Sequence, residues 1–252
     1  MKIVVCCKAV RNEADIKVGA GGSLDASRAA WTVGSYDLHA VEAGKRLVEA
    51  TPGATLVGLM AGGSELTNVK LKKEVGSRGL DELAVIVDDA LVEADALTTA
   101  RALASAIGAM GDVDLVLCGP GSGDEYAQAV GPMLGELLGR PVVNAVDAVE
   151  PDGAGLRVER SLAGAVQVLS VPLPAVLAVT SSINTPRIPG MRDILSAGKI
   201  PLTELPAPSA APAPVTRVST TAAPRAARAG KVLEGTDEAT IAELAALIRS
   251  AL

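Results

Sequence analysis

Four short apolar runs, at residues 3–7, 54–60, 83–87 and 115–118, are each separated from the next by a stretch long enough to hold a helix. That spacing constrains the fold more than any other feature. Strands joined by such long connections cannot form tight hairpins; they cross over and run parallel. A parallel sheet is covered on both faces, and near-continuous apolar strands such as MKIVVCC and ATLVGLM suit it. The connections carry helical patterns. One covers residues 36–49, with Leu38, Val41 and Leu47 inward. A second follows Ser64, a candidate N-cap, and runs to about Val75. An Ala-rich third covers residues 92–110, and residues 8–23 between the first strand and these helices read as a polar loop with a short extended piece. The core must be aliphatic, because 252 residues include no Phe, two Tyr and one Trp.

After Pro141 the rhythm changes. Residues 142–146, 156–160, 166–171 and 175–179 are extended runs with short turns between them, so antiparallel strands extend or flank the parallel sheet. Residues 181–202 hold two prolines around Arg187 and Ile188, then Gly190 and a short apolar helix-like turn. Residues 203–230 are rich in Pro and Ala and read as an extended arm. A last helix spans residues 236–252, with Thr236 as N-cap and a stripe of Ile241, Leu244, Ala245, Ile248 and Leu252 that needs a surface to cover.

Composition excludes several functions. The net charge is −6 and no basic stripe with interleaved aromatics occurs, which argues against nucleic acid. The first apolar run is too short for a signal peptide, and no run approaches the ~20 residues of a membrane helix. A soluble, cytoplasmic protein without membrane insertion is expected. Cys6 and Cys7 are neighbours on a strand and face opposite ways, so they do not share a metal ion; with Cys118 they read as small buried residues. The single histidine, His39, lies in a helical pattern with no nucleophile motif nearby and reads as a helix residue, not a base.

The most informative stretch is DLVLCGPGSGDEYAQAVGPM, residues 114–133. A buried strand feeds Gly119, Gly121 and Gly123, and then Tyr126, Val130, Met133, Leu134, Leu137 and Leu138 recur at helical spacing. A strand, a glycine loop and a helix start together direct backbone N–H groups at a phosphate. Glycines let the backbone approach it closely, and Gly123→Val is expected to empty such a site. The pattern is neither Walker A nor GxGxxG, so an ordinary strand-to-helix turn stays open on local sequence alone.

The order of motifs over the whole chain resembles the β subunit of electron transfer flavoproteins. The segments are MKIVVCCKAV, GSLDASRAA, SYDLHAVEAGKRL, SRGLDEL, DLVLCGPGSGDEYAQAVGPMLGELLG, VERSL, PLPAVLAV, INTPRIPGMRDIL and KVLEGT. They are most similar to the bacterial branch linked to carnitine metabolism and acyl-CoA reduction. The resemblance implies a three-layer αβα, Rossmann-like adenine-nucleotide-binding domain over residues 1–202, with a mostly parallel sheet and added antiparallel strands. It also implies an extended arm over 203–230, and a strand-like segment and helix over 231–252. It implies a heterodimer with an α subunit that holds most of an FAD, while this subunit holds AMP or a second FAD.

Carried over residue by residue, the nucleotide positions are Cys6, Gly34, Ser35, Tyr36, Asp37, Ala61, Ser122, Gly123, Asp124, Glu125, Tyr126, Ala127, Gln128, Ala129, Val130, Gly131, Pro132 and Met133. The implied partner-binding residues are Met191, Arg192, Ile194 and Leu195, with Met191 as the tooth that enters a pocket on an acyl-CoA dehydrogenase-type flavoenzyme. The resemblance also implies a quinone oxidoreductase or a ferredoxin as a further redox partner. The residues alone also allow Met191 to be a core residue of a short turn; Pro189 and Gly190 favour an exposed tip. Two departures stand out: Gly34-Ser35 replaces a common Asn-Pro, and residues 8–18 contain no aromatic, with Glu13 in its place. The resemblance thus implies an electron carrier subunit and not an enzyme. The strand–glycine-loop–helix plan also occurs in universal-stress-type nucleotide-binding regulators and in adenylyl-transferring enzymes. The first would need neither the Met191 segment nor the arm; the second would need a catalytic His or Lys motif near the loop.

Overall fold

In a computed structural model, residues 1–208, 215, 217–224 and 230–251 are described. In chain order the elements are β1 (Lys2–Cys7), β2 (Ala9–Arg11), β3 (Lys17–Val18), β4 (Leu24–Asp25), β5 (Trp31–Val33), α1 (Ser35–Ala50), β6 (Thr55–Gly62), α2 (Val69–Gly76), β7 (Glu82–Val87) and α3 (Ala96–Met110). There follow β8 (Leu115–Cys118), α4 (Val130–Leu138), β9 (Val142–Asp152), β10 (Gly155–Leu162), β11 (Ala165–Pro172), β12 (Ala175–Val179), α5 (Met191–Ala197), β13 (Leu202–Glu204) and α6 (Glu238–Ala251).

Nine strands form one sheet in the order β11-β10-β9-β12-β8-β1-β6-β7-β13. From β9 to β13 every pairing is parallel; β10 and β11 add an antiparallel ribbon at one edge. This is the mixed, three-layer α/β architecture expected from the strand spacing. Residues 175–179 are not part of the antiparallel ribbon, however. As β12 they lie between β8 and β9, parallel to both. An all-apolar strand, buried on both faces, belongs at the centre of a sheet.

Strand alternation sorts the core into two sides. Ile3, Val5 and Cys7 face α1 and α2, where Ala40, Val41, Leu47, Leu71 and Val75 are buried. Val4 and Cys6 face α3 and α4, where Leu103, Ile107 and Leu134 are buried. Cys6 and Cys7 therefore point to opposite faces, and all three cysteines are free and buried.

Several helices begin later than the apolar spacing predicts. Ser64 does not cap a helix: its amide bonds Asp89 Oδ1 at 2.8 Å, residues Ser64–Thr67 make a 3-10 turn, and α2 starts after Asn68, whose side chain accepts from the Lys70 amide. Residues 92–95 lie outside α3, which Asp95 caps through the Thr98 amide at 2.8 Å. At the C-terminus Asp237, not Thr236, accepts from the amides of Ala239 and Thr240. In each case an Asn or Asp side chain downstream accepts the first-turn amide.

Residues 8–23 are more structured than a loop: β2 pairs antiparallel with β5, and Arg11 stacks 3.9 Å above the Trp31 ring. Beyond α5 the chain re-enters the sheet as β13, so the boundary expected at 202/203 falls inside an edge strand; Leu205 adds an amide bond to the Val85 carbonyl at 2.8 Å. Ala222 bonds the Gly22 carbonyl at 2.8 Å. Residues 209–214, 216 and 225–229 of the expected arm, and Leu252 of the expected stripe, lie outside the described residues. Residues 231–236 form no strand. On α6, Ile241, Leu244 and Ile248 are all exposed.

Candidate functional site

In chain order the sheet grows from β1 to β6 and β7, then returns to the other side of β1 with β8. At such a reversal the loops leaving the carboxyl ends of neighbouring strands diverge and open a crevice. A cleft of about 850 Å³, its open mouth included, lies there. Cys6, Cys7 and Lys8 at the end of β1, Ala61 of β6 and Cys118 of β8 line it, together with the loop after β8 and the first turns of α3 and α4.

Of the residues expected at a nucleotide site, Cys6, Asp37, Ala61, Ser122, Glu125, Ala127, Gln128, Ala129, Val130 and Gly131 line this cleft. The others do not line it. Gly34 donates its amide to the Lys8 carbonyl at 3.0 Å and, with Ser35, begins α1. The Tyr36 ring tilts against Tyr126, with centroids 5.1 Å apart. Asp124 pairs with Lys8 Nζ at 2.8 Å. Pro132 and Met133 lie in the first turn of α4.

The glycine loop is longer than the sequence spacing suggests. Tyr126 does not start a helix; it and Gln128 have φ of 49° and 55°, in the left-handed region that ends helical propagation. The loop thus runs from Gly119 to Ala129 before α4 begins. Its tight points are Gly119 and Gly121. A Cβ on Gly119 would lie 2.7 Å from Asp37 Oδ1 and 3.2 Å from the Tyr36 carbonyl carbon; one on Gly121 would lie 3.1 Å from the Tyr126 ring. Gly123, expected to be the critical glycine, has open space around it and does not line the cleft.

Helices α3 and α4 begin at the cleft, and α1 sends in only Asp37. Asp95 caps α3, but α1 and α4 have Gly34 and Ala129 at their cap positions, and no side chain accepts from their first turns. The start of α4 is therefore open to an external acceptor in the cleft. Asp37 is the buried charge of the site. Burial pushes its carboxyl up to about 7, against the pull of the Lys8 amide, which donates to Oδ2 at 2.8 Å. Asp124 is also pushed up by burial, but hydrogen bonds from Lys8 and Ser122 and the Lys8 charge outweigh it and hold the carboxyl below its ordinary value. On the floor, hydrogen bonding to Cys118 and then burial push the Cys6 thiol up, and burial does the same to Cys7. These are neutral thiols, not nucleophiles. No group of three or more His, Cys, Asp or Glu among the described residues is arranged for a metal ion.

Sequence reasoning missed Lys8 and Cys118 as lining residues, although Cys118 occupies the end of β8 as Cys6 does that of β1. It also missed the wall made by Leu91, Val92, Ala94, Ala96, Thr99 and Leu103. Reading residues 92–95 as helix had concealed the turn that brings this wall to the cleft.

The expected partner residues lie together on α5. Met191, Ile194 and Leu195 are 74%, 43% and 70% exposed, and Arg192 is exposed beside them. Met191 is thus in the first turn of a short helix and not in the core.

The electron transfer flavoprotein domain model matches residues 22–210, most of the chain. The chain belongs to this family. Members of the electron transfer flavoprotein family are electron carriers, and the matched span includes the loop after β8 and the whole of α5. No helix among the described residues is long and apolar enough to cross a membrane.

Proposed function

We propose that this chain is the β subunit of a heterodimeric electron transfer flavoprotein and that the cleft at β1 and β8 holds an adenine nucleotide, AMP or the adenylate part of a second FAD. The observation that carries this reading is the start of α4, without a side-chain cap, at the end of a glycine loop over the ends of parallel strands. Open helix N-termini favour a phosphate. The floor of Cys6, Ala61 and Cys118 is small and apolar and suits a flat base, and Asp37 offers an acceptor to a hydroxyl or amine. A flavin supplies reversible electron transfer when bound; the residues of this chain bind and orient the nucleotide and keep water from it. No acid–base pair is needed for that role.

The α subunit completes the carrier and holds most of the redox FAD. The exposed apolar side chains of α5 dock an acyl-CoA dehydrogenase-type flavoenzyme, with a quinone oxidoreductase or ferredoxin further along, in the cytoplasm and in metabolism of the carnitine and acyl-CoA type. The test is to purify the chain with its α subunit and count FAD and AMP per heterodimer. One FAD with one AMP, or two FAD, is expected. A heterodimer with one FAD and no further adenylate would overturn the assignment of the cleft.

A further inference from the structure

Arg187 lies on the segment between β12 and α5, four residues before Met191. Its guanidinium is held by two carboxylates of α1. Nε donates to Glu42 Oε2 at 2.7 Å and Nη1 to Glu49 Oε1 at 2.8 Å, while Nη2 reaches both residues at 3.2 Å. The Arg187 amide also donates to Glu42 at 3.2 Å, and its carbonyl accepts from Arg78. Glu42 is 4% exposed, so its charge requires this partner and Arg46. Three residues upstream, Asn184 and His39 exchange hydrogen bonds, each at 2.9 Å.

Beyond this clamp the surface inverts. Ile188 is 91% exposed, and Met191 and Leu195 follow it outward. At the far end of α5, Ala197 is buried and Ile200 packs against the core. The helix is therefore mounted at two points, a charged clamp at its entry and an apolar contact at its exit, with its large side chains free between them.

We propose that Arg187 is a positioning residue for partner docking: the Glu42–Arg187–Glu49 clamp fixes where Met191 and Leu195 stand, and so sets the affinity for the partner flavoenzyme. This rests on the reading of α5 as the docking element. A guanidinium bonded to two carboxylates and anchored through its own backbone holds a loop in one place, and a preorganised apolar anchor binds without a further ordering cost.

The test uses the purified heterodimer, with the acyl-CoA dehydrogenase of the same organism, reduced by its acyl-CoA, as electron donor. Arg187→Ala and the milder Glu49→Gln, at a half-exposed side chain, are compared with the unaltered protein and with Met191→Ala. Arg187→Ala is expected to raise the donor concentration for half-maximal exchange at least tenfold, and Glu49→Gln by about threefold. The saturating rate stays unchanged. Amide hydrogen exchange over residues 188–196 quickens, while that of the cleft loop does not. Unchanged half-saturation in Arg187→Ala, when Met191→Ala raises it, would overturn the positioning role. So would a fall in saturating rate with faster exchange throughout the chain, the mark of a merely structural residue. If Met191→Ala also has no effect while residues 188–196 are still released, the docking reading is what fails, and this proposal falls with it.

Discussion

The loop after β8 and the segment after β12 leave neighbouring parallel strands, and both are rich in Gly and Pro, yet they make opposite surfaces. After β8 the chain turns its polar groups toward a concave site: Asp37 and Lys8 meet behind Gly119, and the start of α4 is left without a side-chain cap. After β12 the polar groups are consumed beneath the segment, by Glu42, Glu49, His39 and Arg78, and the apolar side chains face outward. Turn-forming residues alone do not decide the kind of surface. Where the charges find partners decides it.

The largest effect should come from the buried charge of the concave side. Asp37 titrates at about 7 in the folded chain, against an ordinary 3.8. Between those values the folded state binds the extra proton, so stability falls as pH rises and is fully reduced above 7. At 1.36 kcal/mol per pH unit the reduction is on the order of 4 kcal/mol. Asp37→Asn keeps an oxygen acceptor for the Lys8 amide and removes the titration. Its stability gain over the unaltered chain, from urea unfolding, should grow between pH 4.5 and 7.5. A difference that does not vary with pH would show that Asp37 is not a buried carboxylate of this kind.

Gly119→Val comes next. Its Cβ would meet the Tyr36 backbone as well as Asp37, so helix and loop must move apart. A cost of about 1–3 kcal/mol is expected for such overpacking, together with loss of bound adenylate from the heterodimer. Gly123→Val should be much milder on both measures, because open space surrounds it. Equal losses from the two would place the ligand against Gly123 instead.

These two residues also show what was legible in the sequence. The parallel sheet followed from the spacing of apolar runs, because burial on both faces leaves a run of Val, Leu and Ile that no half-exposed strand would have. The strand, glycine loop and helix of residues 114–133 were legible as a site because they are local features, whereas Cys6 and Ala61 came to the cleft only with the family resemblance. Asp37 came the same way, and nothing local distinguished its burial from that of any first-turn carboxylate. Gly119 and Gly121 outrank Gly123 because of Tyr36 and Tyr126, which are contacts of tertiary structure. Helix starts were misplaced where an Asn or Asp downstream takes the capping hydrogen bond. The left-handed turns at Tyr126 and Gln128 interrupt what reads as a continuous helical pattern. The edge strand β13 was invisible because three residues of an extended arm carry no period.

On the convex side, Met191→Ala should leave unfolding and nucleotide content unchanged, because the side chain is 74% exposed. Its effect belongs to docking. If Met191 acts as a hot spot, truncation costs on the order of 2 kcal/mol. Exchange with the partner flavoenzyme should slow at least tenfold at low partner concentration and recover at high concentration. Normal exchange at low concentration would move the docking site elsewhere. A lowered melting temperature would mean that the side chain is buried in solution.

Removal of the arm should have only a small effect on this chain's own stability. A cut after Leu202 would strip β13 of two of its three residues and remove Leu205, which bonds Val85 and packs on the core beside Ala207. The informative cut is therefore after Pro208. It removes Arg217, whose guanidinium bridges Glu93 and Glu125 across the mouth of the cleft, and the Val215 amide bond to Asp95 at 3.2 Å. Exposed ion pairs of this type contribute about 0–1 kcal/mol each. The shortened chain should therefore unfold within about 1–2 kcal/mol of the full one, as followed by the single Trp31. Helix α6 goes with the arm, and its exposed Ile241, Leu244 and Ile248 are the apolar surface that a second subunit would cover. Co-purification with the α subunit should accordingly be lost while the sheet stays folded. If the shortened chain still pairs with the α subunit, neither the arm nor α6 is what holds it.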